Sequence, residues 1–414
     1  MKSLDTELQT YGVAVEGARI RAVGRDADVR APEGFDSIDA HGQTLMPGLW
    51  DMHVHVGDVD GPLNIAAGVT TVRDLGNDID RAKALQTDWR DGSAIGPRML
   101  LAGLIDGPGP FQGPTKVLVS TPEEARAAVD RYADLGYVQI KIYSSVAPKL
   151  VPVIVERAHA RRLRVSGHVP AFMTAEQAVA AGYDEIQHVN FLFLNFFFDR
   201  VPDTRTPARF TAVAEGAASL DLSSPRVQTF LDLLVARGTV IDPTVTVFRS
   251  MFLARSGSVD PEFAQVADRL PPVVRRGFLA GGLPVPEGKD ALYRTSAGKL
   301  LDMVAMLHGR GIPIIAGTDG LAGFTLDREL ENYVAAGIPA PEVLRIATLG
   351  AAHVMKMDRD SGSIAPGKIA DMILVDGEPD RRISDICRVR TVIHDGRVIE
   401  AAALDAALGI TPAP

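Results

Sequence analysis

The chain has 414 residues, more than a usual single domain, although α/β barrels of about 250 residues or more fold as one unit. Hydrophobic residues make up 46% and charged residues 23% of it, which excludes a disordered chain and indicates a globular protein with a large core. The net charge of −9 and the lack of any apolar run of roughly 18 residues argue against nucleic-acid and membrane partners, so we expect a small-molecule or dipeptide-like ligand.

The N-terminal segment MKSLDTELQTYG lacks the apolar core of a signal peptide, so the sequence as given predicts a cytoplasmic protein. Strand-like sequence begins almost at once, at residues 11–15, so an export signal could precede Met1. In that case the protein would be periplasmic or secreted. The single cysteine, Cys387, excludes an internal disulfide framework. We also expect a homo-oligomer.

Both ends of the chain contain short alternating segments separated by turns, a pattern that predicts β-hairpins. Residues 13–24 alternate around Glu16-Gly17, and residues 389–400 alternate around Asp395-Gly396. Two β-rich ends on either side of one long middle suggest that the termini pair with each other. The sequence therefore predicts a composite small β-sandwich domain made of residues 1–48 and 355–414.

The middle of the chain alternates apolar or β-branched runs with helical patterns. In one such helical segment Ser120 and Thr121 are candidate N-caps, Pro122 occupies the first turn and Gly136 ends the pattern. Eight alternations predict an α/β fold in which residues 49–354 form a (β/α)8 TIM-type barrel. The predicted strands are residues 49–55, 69–74, 98–104, 138–143, 164–168, 184–188, 239–242 and 313–318.

Two longer segments, residues 190–237 and 245–299, depart from this repeat. Both follow predicted strand ends, so we expect them to form enlarged loops over the catalytic face. The first begins with the aromatic run FLFLNFFF at residues 191–198. We interpret that run as packing or a subunit contact rather than as a substrate wall.

Polar side chains close five of the predicted strands, at the end where barrels of this type carry their reactive groups. His53 and His55 share one side of the first strand, and two convergent imidazoles suit a transition metal. Each such residue has a structural explanation when it is taken alone, but burial of Lys141 is costly unless the amine is neutralised or paired. Together they predict a metal site, and its candidate residues are His53, His55, Lys141, His168, His188 and Asp319.

These residues lie in motifs that resemble those of the amidohydrolase superfamily, in particular its imidazolonepropionase-like and prolidase-like members with two metals. The resemblance covers nearly the whole chain and rests on the set of motifs in this order. They are LMPGLWDMHVH, GVTTVRDLG (residues 68–76), IKIY, SGHV, QHV, AGTD and GSIAPGKIADMILVDG (residues 362–377).

The resemblance implies a binuclear centre in which each candidate residue has a role. His53 and His55 with Asp319 would hold the more buried ion. His168 and His188 would hold the other. Lys141 would be carbamylated by CO₂ and become an anionic bridge between them, which would resolve the problem of its burial. Imidazole and carboxylate ligands suit zinc, with manganese, cobalt or iron as alternatives.

The same resemblance implies a hydrolytic reaction in which the two ions activate a shared water for attack on an amide carbonyl. Asp319 would take the proton of this water and deliver it to the leaving group. Tyr143, two residues beyond Lys141, should project to the same side, and its hydroxyl is a candidate for stabilising the developing oxyanion. Packing is an equally good explanation of Tyr143.

The sequence departs from the prolidase-like pattern where the substrate would be recognised. Such relatives often carry Gly-Gly-His after the third strand and Ser-Gly-Gly after the lysine strand, whereas this chain has residues 103–116 and 143–149 there. Substrate-recognition residues therefore cannot be carried over. Arg73 and Asp74 close the second strand, and we expect a structural ion pair there rather than a substrate contact.

Several functions remain open at this point. The leading hypothesis is a binuclear metal-dependent hydrolase of an amide bond in a dipeptide (prolidase-like) or an N-acyl amino acid. Hydrolysis of a cyclic amide or lactone and a mononuclear deaminase are the alternatives, and Lys141 argues against the deaminase because that chemistry needs no bridging carbamate. A catalytically silent assembly protein is the alternative outside the enzymes.

Overall fold

The computed structural model describes residues 11–29 and 33–413. The strands are β1 (Tyr11–Glu16), β2 (Arg19–Arg25), β3 (Thr44–Pro47), β4 (Leu49–Val54), β5 (Val69–Asp74), β6 (Arg98–Ile105), β7 (Gln139–Ile142), β8 (Arg164–Gly167), β9 (Glu185–Gln187), β10 (Val240–Asp242), β11 (Met372–Val375), β12 (Val389–His394) and β13 (Arg397–Glu400).

The helices alternate with β4 to β10, fill the segment between β10 and β11, and end with α15 after β13. They are α1 (Asp60–Ala66), α2 (Ile79–Asp91), α3 (Pro122–Asp134), α4 (Val151–Ala160), α5 (Ala175–Ala180), α6 (Val189–Leu194), α7 (Ala208–Gly216), α8 (Pro225–Arg237), α9 (Val245–Leu253), α10 (Pro272–Gly277), α11 (Asp290–Gly309), α12 (Thr325–Ala335), α13 (Ala340–Arg345), α14 (Ala351–Val354) and α15 (Ala401–Ala407). Among the residues described, no helix is both long and apolar enough to cross a bilayer.

A curled sheet of five parallel strands forms half of a barrel, in the order β4-β5-β6-β7-β8. The next two strands, β9 and β10, form a parallel pair, and the amide of Asp184 just before β9 donates to the Val165 carbonyl of β8. Every residue of β4, β5 and β7 is buried, as expected for strands covered on both faces. Helix α3 begins as predicted, because Thr121 and Glu124 form a capping box ahead of it.

The prediction of an eighth strand at residues 313–318 is wrong, because this segment does not form a regular strand. Ile314 forms only an isolated parallel bridge with Ile241, although Ala316 accepts a hydrogen bond from the Met52 amide of β4. At the end of this segment the Thr318 amide donates to the Asp51 carboxylate at 3.1 Å and to the His53 carbonyl at 3.3 Å, and its hydroxyl donates to Asp51 at 2.7 Å. Seven of the eight parallel strands are present, and the closed eight-stranded barrel stays a prediction.

A separate antiparallel sheet contains strands from both ends of the chain, in the order β13-β12-β11-β3. Within it β3 pairs directly with β11. The hairpin of β1 and β2 joins the C-terminal segment through hydrogen bonds from the Ile20 amide to Lys368 and from the Ala370 amide to Ala18. The composite β-sandwich of residues 1–48 and 355–414 remains our proposal, and residues 1–10, 30–32 and 414 of it lie outside the described part. Helix α15, within the C-terminal range, contacts α1.

The interior of the parallel sheet contains a fully buried ion pair between β5 and β9. The Arg73 guanidinium donates to both carboxylate oxygens of Glu185, at 2.8 and 2.7 Å, and its Nε donates to the Met52 carbonyl. Asp74 takes no part in this pair and instead accepts from the backbone amides of Val56 and Gly76. Arg73 and Asp74 therefore have structural roles, as expected, but Glu185 rather than Asp74 is the partner of Arg73.

Removal of one member of this pair should be far more costly than removal of both. We predict that Glu185→Leu lowers the free energy of unfolding by about 3–5 kcal/mol, because it removes the two-point partner of the buried Arg73 cation and leaves the more distant Asp242 Oδ2, 3.7 Å away, as its counter-charge. The double variant Arg73→Met/Glu185→Leu should recover much of that loss. Urea unfolding of the three proteins measures both effects, and equal losses for the single and double variants would contradict the prediction.

Candidate metal centre

A cavity of about 460 Å³ lies at the C-terminal ends of the parallel strands. Polar and aromatic side chains from several strand ends and from α6, α7 and α9 form its wall. The residues that line it are His55, Gly76, Asn77, Asp78, Leu104, Pro114, Lys141, Tyr143, His168, His188, Asn190, Phe191, Arg209, Phe210, Val247, Phe248, Met251 and Asp319. His53 is fully buried behind the cavity wall, with its Nε2 3.2 Å from the Lys141 Nζ.

Four histidines of the site share one arrangement, in which the Nδ1 atom of each ring forms a hydrogen bond with a neighbouring protein group and the Nε2 atom faces the other ligands. The carbonyl of Gly76 can only accept a hydrogen bond, so neutral His55 is protonated on Nδ1 and its Nε2 carries the free lone pair. Such outer partners orient metal-binding imidazoles in proteins. The four Nδ1 contacts are His53 to Asp242 Oδ2 at 2.7 Å, His55 to the Gly76 carbonyl at 2.7 Å, His168 to Ser144 Oγ at 2.9 Å and His188 to Thr244 Oγ1 at 2.8 Å.

The Nε2 atoms converge on one another and on Asp319. The distance from His168 Nε2 to His188 Nε2 is 3.0 Å, and His55 Nε2 lies 3.5 Å from Asp319 Oδ1. His53 Nε2 and His188 Nε2 each lie 3.9 Å from an oxygen of Asp319. A tetrahedral zinc with bonds of about 2.0–2.1 Å separates its ligand atoms by about 3.3 Å, so these spacings fit a shared cation. Ligand atoms of His53, His188 and Asp319 all lie within 4.8 Å of one another and could hold a metal.

The electrostatics of the site favour neutral bases. Burial is the largest cause that lowers the pKa of His53, His55, His168 and His188, and the Lys141 charge lowers each of them further. A neutral imidazole is the form that binds a metal. Lys141 itself is 1% exposed, and burial lowers its pKa to about 8 against the opposing attraction of Asp319 and Asp242. The buried amine is therefore more often uncharged than an exposed lysine.

Three residues of the site have a strained backbone conformation that directs their side chains toward the centre. His188, Thr244 and Asp319 have φ angles of 69°, 44° and 48°, a region that residues other than glycine seldom occupy. Backbone hydrogen bonds hold two of them, from His188 to Asp242 and from Asp319 to His53. Gly317 is required next to them, since a Cβ atom there would lie 2.3 Å from Asp242 Oδ1.

The structure brings together every residue that the sequence singled out for the site. All six candidate ligands meet around the cavity floor, from β4, β7 and the ends of β8, β9 and the segment after Ile314. Tyr143 also lines the cavity, and its ring centroid lies 4.1 Å from that of His168. Burial raises the pKa of Tyr143, and the neighbouring Arg209 guanidinium opposes that rise. The roles of these seven residues as ligands, base or oxyanion stabiliser stay predictions.

Sequence reasoning missed several residues that the structure places at the site. Asp242 closes β10 and could have been found by the strand-end rule that selected Asp319. Ser144 and Thr244 had no signal, because a hydroxyl partner of a histidine depends on contacts between distant segments. Arg209 and Asn190 belong to the segment interpreted as an enlarged loop, which in fact contains helices α6, α7 and α8. Of the aromatic run, Phe193 is core packing and Phe191 lines the cavity.

A model of the amidohydrolase family matches residues 44–399. Among solved structures, a Xaa-Pro dipeptidase with bound methionine has a similar fold, with a TM-score of 0.67, 23% sequence identity and coverage of 94% of this chain and 95% of that one. The bottromycin amidohydrolase aligns with a TM-score of 0.71 and 21% identity over 97% of this chain and 86% of that one.

Curated relatives match over short segments only. A 5-methylthioadenosine/S-adenosylhomocysteine deaminase from Thermoanaerobacter pseudethanolicus is 35% identical over 80 residues, which is 16% of this chain. The match spans 18% of the length of that deaminase. The segment is too short for the activity of the whole deaminase to be assigned to this chain.

The Thr244 hydroxyl, which forms a hydrogen bond with His188 Nδ1, allows a test of whether His188 binds a metal. We predict that Thr244→Val weakens zinc binding about 10–100-fold, because the variant keeps the shape of the side chain but leaves His188 Nδ1 without its partner. Competition with a chromogenic chelator measures the affinity. Thr239→Val is the matched control, since the buried Thr239 hydroxyl has no hydrogen-bond partner among the described residues. Equal affinities in the two variants would show that Thr244 does not orient a ligand.

Proposed function

Because the chain belongs to the amidohydrolase family, we propose that it is a binuclear metal-dependent hydrolase that cleaves the amide bond of a dipeptide or an N-acyl amino acid. The observation that carries the proposal is the convergence of four neutral imidazoles, a buried lysine and one aspartate on a single cavity floor. The fold similarity to a Xaa-Pro dipeptidase supports the choice of a dipeptide-like substrate.

The donor set fits two divalent ions. His53 and His55 with Asp319 would hold one ion, and His168 with His188 would hold the other. Zinc suits this mixture of imidazole and carboxylate ligands, and manganese, cobalt or iron are the alternatives. When bound, the ions would supply an activated water and a Lewis acid for the scissile carbonyl.

Lys141 would join the two ligand groups as a carbamate. The uncharged amine forms a bond to the carbon of CO₂, one C–O π bond opens, and the released proton goes to solvent. The reaction replaces a buried cation by a carboxylate-like anion next to neutral imidazoles. The lowered pKa of Lys141 supports this step, since only the uncharged amine can form the new bond.

Asp319 is the base that the geometry favours. Its side chain is 30% exposed and lies on the cavity wall, so its carboxylate can reach the attacking water. It would take a proton from this water and pass it to the nitrogen of the leaving amine. Tyr143 faces the same cavity, and its hydroxyl would donate a hydrogen bond to the oxygen that becomes negative during attack. No side chain needs to form a covalent intermediate.

A mononuclear deaminase is the second candidate, and the short similarity to an adenosine-type deaminase favours it. It gives no role to the buried Lys141, which has no carboxylate within 4.0 Å among the described residues. A metal count of one ion per chain with unmodified Lys141 would favour this second candidate.

A hydrolysis screen tests the proposal directly. Protein reconstituted with zinc in bicarbonate buffer should hydrolyse members of a panel of dipeptides and N-acyl amino acids, with lactams, lactones and adenosine derivatives as the competing classes. Lys141→Ala should abolish turnover and lower the bound zinc, because the bridging anion is lost. Lys149→Ala, at an exposed lysine nearby, should behave as the wild type. Full activity of Lys141→Ala would refute the carbamate.

The proposed role of Tyr143 makes a separate prediction. Tyr143→Phe should lower kcat about 10²–10³-fold with little change in KM, because its hydroxyl would act on charge that develops only in the transition state. Steady-state kinetics on the best substrate of the screen measure both parameters. An unchanged kcat would leave Tyr143 as a packing residue against the His168 ring and the backbone of Gly113.

A further inference from the structure

Arg209, at the start of α7, lines the cavity and has no counter-charge of its own. Its hydrogen bonds go to uncharged groups, which are the Tyr143 side chain, the Thr204 carbonyl at 3.3 Å and the Ser144 hydroxyl at 3.4 Å. The last two are longer than the usual 2.7–3.2 Å for N–H···O bonds. Among the described residues, every other arginine that is not exposed lies within 4.0 Å of a carboxylate. Arg209 is thus the exception among the partly buried arginines that the structure describes.

A second polar group of the same wall is also without a partner. Asn190 is 1% exposed, and neither its Nδ2 nor its Oδ1 makes a hydrogen bond with any described residue. Buried polar groups are nearly always satisfied, so an unsatisfied one next to a cavity points to a ligand group. Asn190 follows His188 by two residues, which places it beside the proposed reacting centre.

Aromatic and apolar side chains form one part of the wall next to these two residues. Phe210 holds the Arg209 guanidinium over its ring face, with Cζ 4.5 Å from the centroid. Phe248 lies 6.2 Å from Phe210 and 5.7 Å from the His188 ring, measured between centroids. Phe191 and Met251 continue this surface. An apolar substrate side chain that lies between the Arg209 cation and the proposed metal centre would therefore be buried against this surface, and its removal from water would favour binding.

We propose that Arg209 and Asn190 form a subsite for the free carboxylate of the substrate, with the aromatic wall receiving an apolar side chain on the same residue. The inference rests on the proposed function and deepens it. The planar guanidinium matches a carboxylate with two parallel hydrogen bonds, and the Asn190 amide can donate a further one. Once Lys141 is carbamylated, Arg209 is the remaining lysine or arginine cation among the described residues of the cavity wall. The substrate class is then an N-acyl or N-aminoacyl amino acid with a free carboxylate and an apolar side chain.

Paired probes that differ only in charge test this subsite. N-acetyl-L-leucine and N-acetyl-L-leucinamide are compared as substrates of the zinc-loaded full chain. The wild type should show a KM for the acid at least about 30-fold lower than for the amide, and Arg209→Gln should erase that preference with little change in kcat. Arg209→Lys, which keeps the charge but loses the fork, should be intermediate.

Arg205→Gln is the matched control. Arg205 lies four residues away and already makes a two-point ion pair with Asp203, at 2.8 and 2.7 Å, outside the residues that line the cavity. Its loss should leave the preference for the acid unchanged. Thermal unfolding of each variant shows whether the fold is kept. A kcat loss in Arg209→Gln that is equal for acid and amide would assign Arg209 to the oxyanion or to structure and overturn the subsite.

Product binding separates this inference from the proposed reaction. Calorimetry with L-leucine and L-leucinamide needs no turnover, and the wild type should bind L-leucine more tightly while Arg209→Gln binds both equally. If the wild type hydrolyses no amide of the panel, the proposed function fails, and the calorimetric comparison still decides the subsite. Equal binding of L-leucine by the wild type and by Arg209→Gln overturns the inference even in an active hydrolase.

Discussion

The burial of the Lys141 amine among imidazoles is the constraint on which the rest of the site depends. The side chain is 1% exposed, its Nζ lies 3.2 Å from the Nε2 of His53, and the same burial keeps the surrounding histidines neutral. A cation in such a place is costly, because neither water nor a carboxylate within 4.0 Å among the described residues offsets its charge. Conversion to a carbamate in the presence of divalent ions would turn this liability into the ligand that the site lacks.

The fold provides the means to hold such an arrangement. Parallel strands bring Lys141, His168 and His188 to one edge of the sheet, and backbone in the left-handed region turns His188 and Asp319 toward the centre. The ion pair of Arg73 and Glu185 lies in the same interior, and Arg73 Nη2 is also 3.7 Å from Asp242, the partner of His53. Asp242 therefore links the buried ion pair to the orientation of His53. Buried polar contacts of this kind offset the cost of the strained backbone at the site.

Much of this could be predicted from the sequence, for reasons that particular residues show. The parallel strands β4 to β10 are recognisable from their apolar runs, and the polar residues near the ends of four of them identify His53, Lys141, His168 and His188. The eighth segment is not a regular strand, and its Thr318 amide donates to the carboxylate of Asp51, 267 residues earlier in the chain. No local pattern reveals a contact between such distant segments. Arg209 could not be identified from the sequence for a similar reason, since only the folded structure shows that it lines the cavity and lacks a carboxylate partner. The family motifs find the residues of the proposed reaction, whereas the residues of the proposed specificity come from the segments that depart most from them.

The most direct test is the metal content of the centre together with the chemical state of Lys141. Elemental analysis of protein purified with bicarbonate, combined with a crystal structure phased at the metal edge, reports how many ions bind and what Lys141 carries. We expect two ions per chain, held by His53, His55, His168, His188 and Asp319, with a carbamate on Lys141 joining the two groups of ligands. A single ion, or an unmodified Lys141 ammonium in the presence of saturating zinc and bicarbonate, would contradict this expectation.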